Sequence, residues 1–186
     1  MVFLTALWIP ILVSAVIVFV ASSVIHMALP YHKSDYRKLP NEDKAMDALR
    51  SESLAPGTYH FPHCGDHKQM NAPEFVDKLK RGPVGLLTIM PTGPINMGKH
   101  LGSWFIFCVV ISAMTAYLTG RTVAMGAPYL VVFRVAGTAA FLGYGAAHLS
   151  DSIWKGQLWS TTFKHVFDGL IYACLTAGTF GWLWPR

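Results

Sequence analysis

The sequence predicts an all-α integral membrane protein: a bundle of four transmembrane helices, with a small mixed α/β module in the loop between spans one and two. Hydrophobic residues make up 53% of the chain and charged residues only 13%, whereas soluble domains carry about 25% charged residues. Four long stretches are also almost free of charge. Because a helix needs about 20 apolar residues to cross the hydrocarbon core, we interpret these stretches as spans.

The predicted spans cover residues 1–29, 99–120, 122–149 and 163–185. The first has no basic residues ahead of its apolar run, and that run exceeds the roughly 7–15 residues of a signal-peptide core, so we expect a retained helix. The last begins early enough to leave Asp168 near the membrane interface. Trp182 and Trp184 near its end are typical of an interfacial aromatic belt.

The basic residues are distributed unequally between the two predicted sides of the membrane. Most of them lie in or beside the loop 30–98, and Lys155 and Lys164 follow span three, whereas the other side carries Arg121 and Arg186. The positive-inside rule therefore places this loop in the cytoplasm, and we expect a bacterial cytoplasmic membrane. We interpret the net charge of +5 as attraction to anionic lipid headgroups, and we therefore predict no nucleic-acid partner.

The loop 30–98 reads as a folded module. Asn41 can cap a first helix, and a strand is expected at 58–61. A second helix is expected at 71–81, followed by a β-like or interfacial stretch that ends near Met90. At this size an independent core is marginal, so we expect the module to lean on the bilayer or on the bundle.

Small residues recur every four positions in spans three and four. Such stripes let helix backbones approach closely in lipid, so we expect the two spans to form a tight hairpin. The partner helix is within the chain or in a second subunit. The stripes consist of Ala139, Gly143 and Ala147 in span three, and of Gly169, Ala173, Ala177 and Gly181 in span four.

The first polar constellation lies at the cytoplasmic mouth of that hairpin. His148 and Asp151 are three residues apart, as are His165 and Asp168, and residues at this spacing share a helix face. Two His and two carboxylates are a ligand set for a divalent metal, and His also moves protons near neutral pH. The alternative is that these residues cap helix ends and pair with one another.

The second constellation lies in the loop and consists of His60, His63, Cys64 and His67. These are metal-ligand types, although their spacing matches no standard zinc pattern. The alternative is a polar surface turn. The other two cysteines, Cys108 and Cys174, fall inside spans, so no disulfide framework is expected.

Arg134 is the one charge within span three, far from the acidic residues. It either snorkels to the outer headgroups or meets an acid on another subunit, an anionic lipid or a substrate. His26 and His100, near the cytoplasmic ends of spans one and two, would give each span a His near the same face. Such a ring could ligate haem or copper.

No phosphate-binding glycine loop, nucleophile elbow or zinc-protease motif occurs in the sequence, so an enzyme is not the favoured interpretation. The first hypothesis is a structural or accessory subunit, whose partners are the bilayer and either its own copies or other membrane subunits. The second is a metal- or haem-binding redox protein that uses the cytoplasmic histidines. The third is a small oligomeric transporter or channel.

Overall fold

The computed structural model describes all 186 residues, apart from the side chain of His67. It contains a helical unit and a smaller loop unit, which are described separately. The helical unit comprises Met1–Asp35, Asn96–Ser152 and Gln157–Arg186, and the loop unit comprises Tyr36–Ile95 and Ile153–Gly156. The chain is mostly helical, and its elements in order are α1 (Trp8–Ala28), α2 (Glu42–Ser51), β1 (Gly57–Phe61), α3 (Pro73–Arg81), β2 (Gly85–Ile89), α4 (Met97–Thr122), α5 (Tyr129–Tyr144), α6 (Leu149–Lys155) and α7 (Trp159–Trp182).

The helical unit is a bundle of α1, α4, α5 and α7. The main contacts run from α1 to α4, from α4 to α5, from α5 to α7 and from α7 back to α1, which sets the order of helices around the bundle. One apolar cluster, around Leu7 and Phe180, fills the end that holds the N-terminus of α1. A second, around Val18 and Tyr172, fills the opposite half.

Three helical stretches are long and apolar enough to cross a membrane: Leu4–Ala28, Met97–Thr122 and Tyr129–Lys155. The outer face of α1 is an example of such an apolar surface. Its residues Leu12, Val16, Val20 and Val24 are all about half exposed. Side chains every four residues line one face of a helix, and an exposed apolar face of this length is typical of contact with lipid. Three of the four predicted spans thus coincide with helices long and apolar enough to cross a membrane. The fourth predicted span, α7, is not among them and carries Lys164 and Asp168 in its first half.

The third stretch differs from the predicted span at both ends. Its helix α5 begins at Tyr129 and not at 122, because Pro128 fixes an extended backbone just before it. At Gly145 the helix gives way to a 3₁₀ turn, Ala146–His148, which leads into α6. The break lies where α7 approaches most closely, since a Cβ added to Gly169 would lie 2.4 Å from Gly145 Cα.

The small residues of α7 do face α5, but they meet other residues than the predicted stripe. Gly181 lies against the ring of Tyr129, and the Ala177 Cβ would be 3.2 Å from a Cβ on Gly137. Gly143 of the predicted stripe contacts Ile111 of α4. A four-residue spacing identifies one face of a helix, but it does not say which neighbour covers that face.

The loop unit contains two helices and one two-stranded antiparallel sheet, in which Gly57 pairs with Ile89 and Phe61 with Gly85. Helix α3 lies between the two strands in sequence, and Gly82 ends it in a backbone conformation with positive φ that suits glycine. Neither α2 nor α3 has a buried residue. The unit therefore has the mixed α/β composition that was predicted, without a substantial core of its own.

Candidate metal centre

Polar residues gather at the end of the bundle where α1 ends and α7 begins. Helix α1 ends at Ala28 because Pro30 follows, and the residue before a proline is pushed into the extended conformation that Leu29 adopts. A 3₁₀ turn, Pro30–Ser34, then folds back over the start of α7. We call this the histidine end, and its polar residues are His26, Tyr31, His32, Asp35, His148, Lys164, His165 and Asp168.

Asp168 is the most enclosed carboxylate of the group, with 2% of its surface exposed. Tyr31 donates its hydroxyl hydrogen to one carboxylate oxygen, and His32 Nε2 lies 2.8 Å from the other. Burial and the hydrogen bond to Asp168 both raise the pKa of Tyr31 above its ordinary value, so the hydroxyl stays a donor. A buried carboxylate is tolerated only when its oxygens are satisfied in this way.

His32 is held between two carboxylates. Its Nδ1 lies 2.6 Å from Asp35 Oδ2, opposite the contact of Nε2 with Asp168. Ionised carboxylates only accept hydrogen bonds, so two such contacts require a ring with both nitrogens protonated. A ring that donates through Nδ1 alone instead leaves Nε2 with a free lone pair directed at Asp168, which is the form that binds a metal.

Lys164 fastens the turn to α7. Its ammonium donates to Tyr31 O at 2.6 Å, to Ser34 Oγ at 2.8 Å and to Asp35 Oδ1 at 2.6 Å, which uses all three of its hydrogens. Burial alone would raise the pKa of Asp35, but the hydrogen bonds from Lys164 and His32 outweigh it and hold that pKa below its ordinary value. Asp35 is therefore a fixed negative charge behind His32.

The four histidine rings of this end form a row. The ring centroids are 4.4 Å apart for His26 and His32, 5.5 Å for His32 and His165, and 5.2 Å for His165 and His148. At the far end of the row, His148 Nδ1 lies 3.6 Å from Asp151 Oδ2. The row brings together residues from α1, the Pro30–Ser34 turn, the Ala146–His148 turn and α7.

At the histidine end, His26, His32 and Asp168 form what we call the ligand trio. Each offers one ligand atom, and these atoms all lie within 4.8 Å of one another. Two imidazole nitrogens and one carboxylate oxygen are donors that zinc and non-haem iron take in proteins. The donor set and its convergence therefore fit one transition-metal ion.

The predicted cluster of His148, Asp151, His165 and Asp168 is found at the histidine end, but only Asp168 belongs to the ligand trio. His165 and His148 stack beside the trio, and Asp151 accompanies His148. Of the two histidines predicted near the ends of spans one and two, His26 belongs to the ligand trio. His100 is exposed in the first turn of α4 and does not belong to it.

Sequence reasoning missed His32, together with Tyr31, Asp35 and Lys164. The missed signal is a recurring spacing: His32 and Asp35 are three residues apart, like His148 and Asp151 and like His165 and Asp168.

The loop constellation gives a weaker arrangement. His60, His63 and Cys64 line one cavity of about 340 Å³ in the loop unit. His60 Nδ1 lies 3.0 Å from Pro62 O, and the Cys64 thiol donates to Asp66 O. Among the side chains that the structure describes, no three ligands of this loop converge as the trio does; His67, the fourth predicted ligand, has its side chain outside the described part.

Arg134 lies exposed on the surface of α5, where two shallow grooves meet. The residues that line these grooves are mostly apolar and include no acidic residue. The guanidinium is thus presented on an apolar helix face.

Comparison of the chain with protein-family models, with curated proteins and with solved structures finds no significant match. The function must therefore be argued from the geometry of the histidine end.

Proposed function

We propose that this chain is a membrane protein that binds one divalent transition-metal ion, such as Zn²⁺ or Fe²⁺, at the histidine end of its helix bundle. His26, His32 and Asp168 would hold the ion. The observation that carries the proposal is the convergence of these three ligand atoms, contributed by α1, the Pro30–Ser34 turn and α7, within 4.8 Å of one another.

The residues behind the trio support the proposal. Metal-bound histidines usually pass their second ring hydrogen to a carboxylate, which fixes the ring and raises its basicity. Asp35 stands in that position behind His32, at 2.6 Å, and Lys164 holds Asp35 in turn. Tyr31 fixes Asp168 by donating a hydrogen bond to Oδ1, the carboxylate oxygen that does not contact His32. Two members of the trio, His32 and Asp168, thus have outer partners of the kind that tuned metal sites have.

The trio supports a reactive site more than a closed structural one. An ion with three protein ligands keeps an open position, where it polarises a bound oxygen. His26 is exposed while His32 is partly and Asp168 fully buried, so the open side of the site is reached past His26. His165, stacked on His32, is placed to accept or return a proton beside it.

For the placement of the bundle, we propose that α1, α4, α5 and α7 all cross the membrane, with the histidine end on the cytoplasmic side. The apolar outer faces and three sufficiently long helices support the insertion. The concentration of Lys and Arg between residues 30 and 98 supports the orientation.

The experiment is elemental analysis and an absorption spectrum of protein purified in mild detergent. We expect about one metal ion per chain and none in the variants His26→Gln and His32→Ala, as for the loss of a direct ligand. The matched control is His100→Ala, which removes an exposed histidine outside the trio. Because His26 is exposed, we expect its substitution to leave the fold intact.

A folded native protein that takes up no Zn²⁺, Fe²⁺ or Co²⁺ after metal depletion and reloading contradicts the proposal. Equal metal content in His100→Ala and His32→Ala does so as well. A Soret band would show that the protein binds haem and not a single ion; haem is the other cofactor predicted from the histidines.

One observation favours a second candidate function, that of an accessory subunit in a larger membrane assembly. Arg134 stands on an apolar helix face without an acidic residue in its grooves, and such a charge in a span usually has a partner. We expect native mass spectrometry to detect a partner subunit that Arg134→Leu loses and Arg121→Leu keeps. A single chain in both samples contradicts this role.

A further inference from the structure

A cavity of about 470 Å³ lies between the end of α1 and the start of α4. That volume falls in the range of roughly 300–1,000 Å³ typical of small-molecule sites. His26 is part of its lining, so the cavity adjoins the ligand trio directly. The other lining residues that matter here are Ser22, Ser23, Met27, Leu101 and Trp104.

The polar groups in the wall are already satisfied within the protein. Ser22 Oγ donates to Phe19 O and accepts a hydrogen bond of 2.8 Å from Trp104 Nε1. The Ser23 hydroxyl also donates to Phe19 O, at 2.9 Å. The wall therefore offers mainly hydrocarbon to an occupant, and His26 is its polar end. Such a lining suits an alkyl chain and would leave the hydroxyls of a sugar without partners.

The cavity is also open toward the surroundings of the bundle. Met27 is 84% exposed and Leu101 41% exposed, and both belong to stretches long and apolar enough to cross a membrane. A hydrocarbon chain can therefore enter from the side, without leaving the apolar phase. Its head would then lie beside His26.

We infer that this cavity binds the chain of a long-chain carboxylate, a fatty acid, whose carboxylate occupies the open position of the metal site. The inference rests on the proposed metal site and names its ligand class. Charge complementarity supports an anionic head: a divalent ion with Asp168 as its one anionic ligand among the trio keeps a net positive charge. A neutral head would leave that charge uncompensated in a low-dielectric environment.

The test uses full-length protein in detergent, loaded with Co²⁺, whose visible spectrum reports a change of ligand. Dibromostearate is the probe, because its bromine quenches tryptophan fluorescence on contact. We expect a saturable component of the quenching that is lost in Trp104→Phe, together with a shift of the cobalt absorption. Exposed tryptophans such as Trp8 and Trp182 give a non-saturable background in both proteins. The methyl ester of the same probe should bind roughly tenfold more weakly, the scale of one lost charge-assisted contact, and should leave the cobalt spectrum unchanged.

Ser23→Phe fills the cavity and should abolish both signals without changing metal content. Ser103→Phe is the matched control, because Ser103 is exposed near the start of α4, close in sequence to the lining residues Leu101 and Trp104, and is not itself part of the lining. A saturable component of the quenching that survives Trp104→Phe, or equal binding of acid and ester, overturns the inference. In either case, one bound metal ion per chain leaves the proposed function standing. Failure to bind cobalt at all overturns the proposed function first, and the carboxylate contact with it.

Discussion

At the scale of single residues, His32 organises the histidine end. It contacts Asp35 through one ring nitrogen and Asp168 through the other, and its ring lies between those of His26 and His165. Lys164 adds the positive charge that keeps Asp35 ionised. Apart from the contact between His32 and Asp35, each of these contacts joins the Pro30–Ser34 turn or the residue after it to α1 or α7. His32 thus links the folding of the turn to the assembly of the site.

A first prediction concerns Asp35, which touches no ion in the proposed site. Asp35→Asn removes the carboxylate behind His32 while keeping the shape of the side chain. We expect metal affinity to fall by about 10–100-fold, as for other outer partners of metal-bound histidine. Competition with a chromophoric chelator measures the change. Asp43→Asn, in the exposed first turn of α2, is the control; an equal affinity in the two variants would show that Asp35 has no role in the site.

The residues of this site were only partly predictable from sequence. Asp168, His165, His148 and His26 were singled out because histidine and aspartate near the ends of apolar runs are visible in the chain. His32 was not predicted, because its role depends on the turn at Pro30 folding back onto α7. The local sequence does not determine the direction in which this turn folds. Contacts across more than a hundred residues depend on tertiary packing and not on spacing.

At the scale of elements, the pair of α5 and α7 depends on two glycines that allow the helix backbones to touch. A Cβ on Gly169 would lie 2.4 Å from Gly145 Cα, far below an ordinary contact distance. Between helices that cross a membrane, close approach of this kind substitutes for the hydrophobic force that lipid does not provide. Since α7 carries Asp168 one residue before Gly169, this contact also positions one ligand of the trio.

A second prediction follows for Gly169→Ala. The added methyl group must push α7 away from α5, and we expect a loss of stability of about 1–3 kcal/mol, the usual cost of overpacking, with weaker metal binding. Thermal melting in detergent checks the first effect. Gly178→Ala is the control on the same helix, because its Cβ would stand 3.5 Å from the Tyr129 hydroxyl, an ordinary contact. Equal melting temperatures would contradict the role given to Gly169.

The elements themselves were more predictable than their pairing. Long charge-free runs locate α1 and α4 closely, since about 20 consecutive apolar residues mark a helix long enough to span a bilayer. Gly169 and Gly181 of α7 lie against Gly145 and Tyr129, at the two ends of α5, whereas Gly143 meets α4. The start of α5 was misplaced because the residues before Pro128 are apolar too, and apolarity does not reveal a loop.

At the scale of the whole molecule, the chain combines an apolar bundle with a basic loop unit. A third prediction tests the proposed four spans and their orientation. With Met125→Cys between α4 and α5, and Ser51→Cys in α2, each in a cysteine-free background, we expect only the first to react with an impermeant thiol reagent on intact cells. The second should react after the membrane is opened. Labelling of both on intact cells would contradict the orientation.

The central claim, an ion held by His26, His32 and Asp168, is tested most directly by X-ray absorption spectroscopy of the zinc-loaded protein. The account predicts a shell of nitrogen and oxygen atoms at about 2.0–2.1 Å, with the outer scattering of imidazole rings, and its loss in His32→Ala. A sulfur shell at about 2.3 Å would contradict it and assign the ion to cysteine, because His26, His32 and Asp168 offer no sulfur.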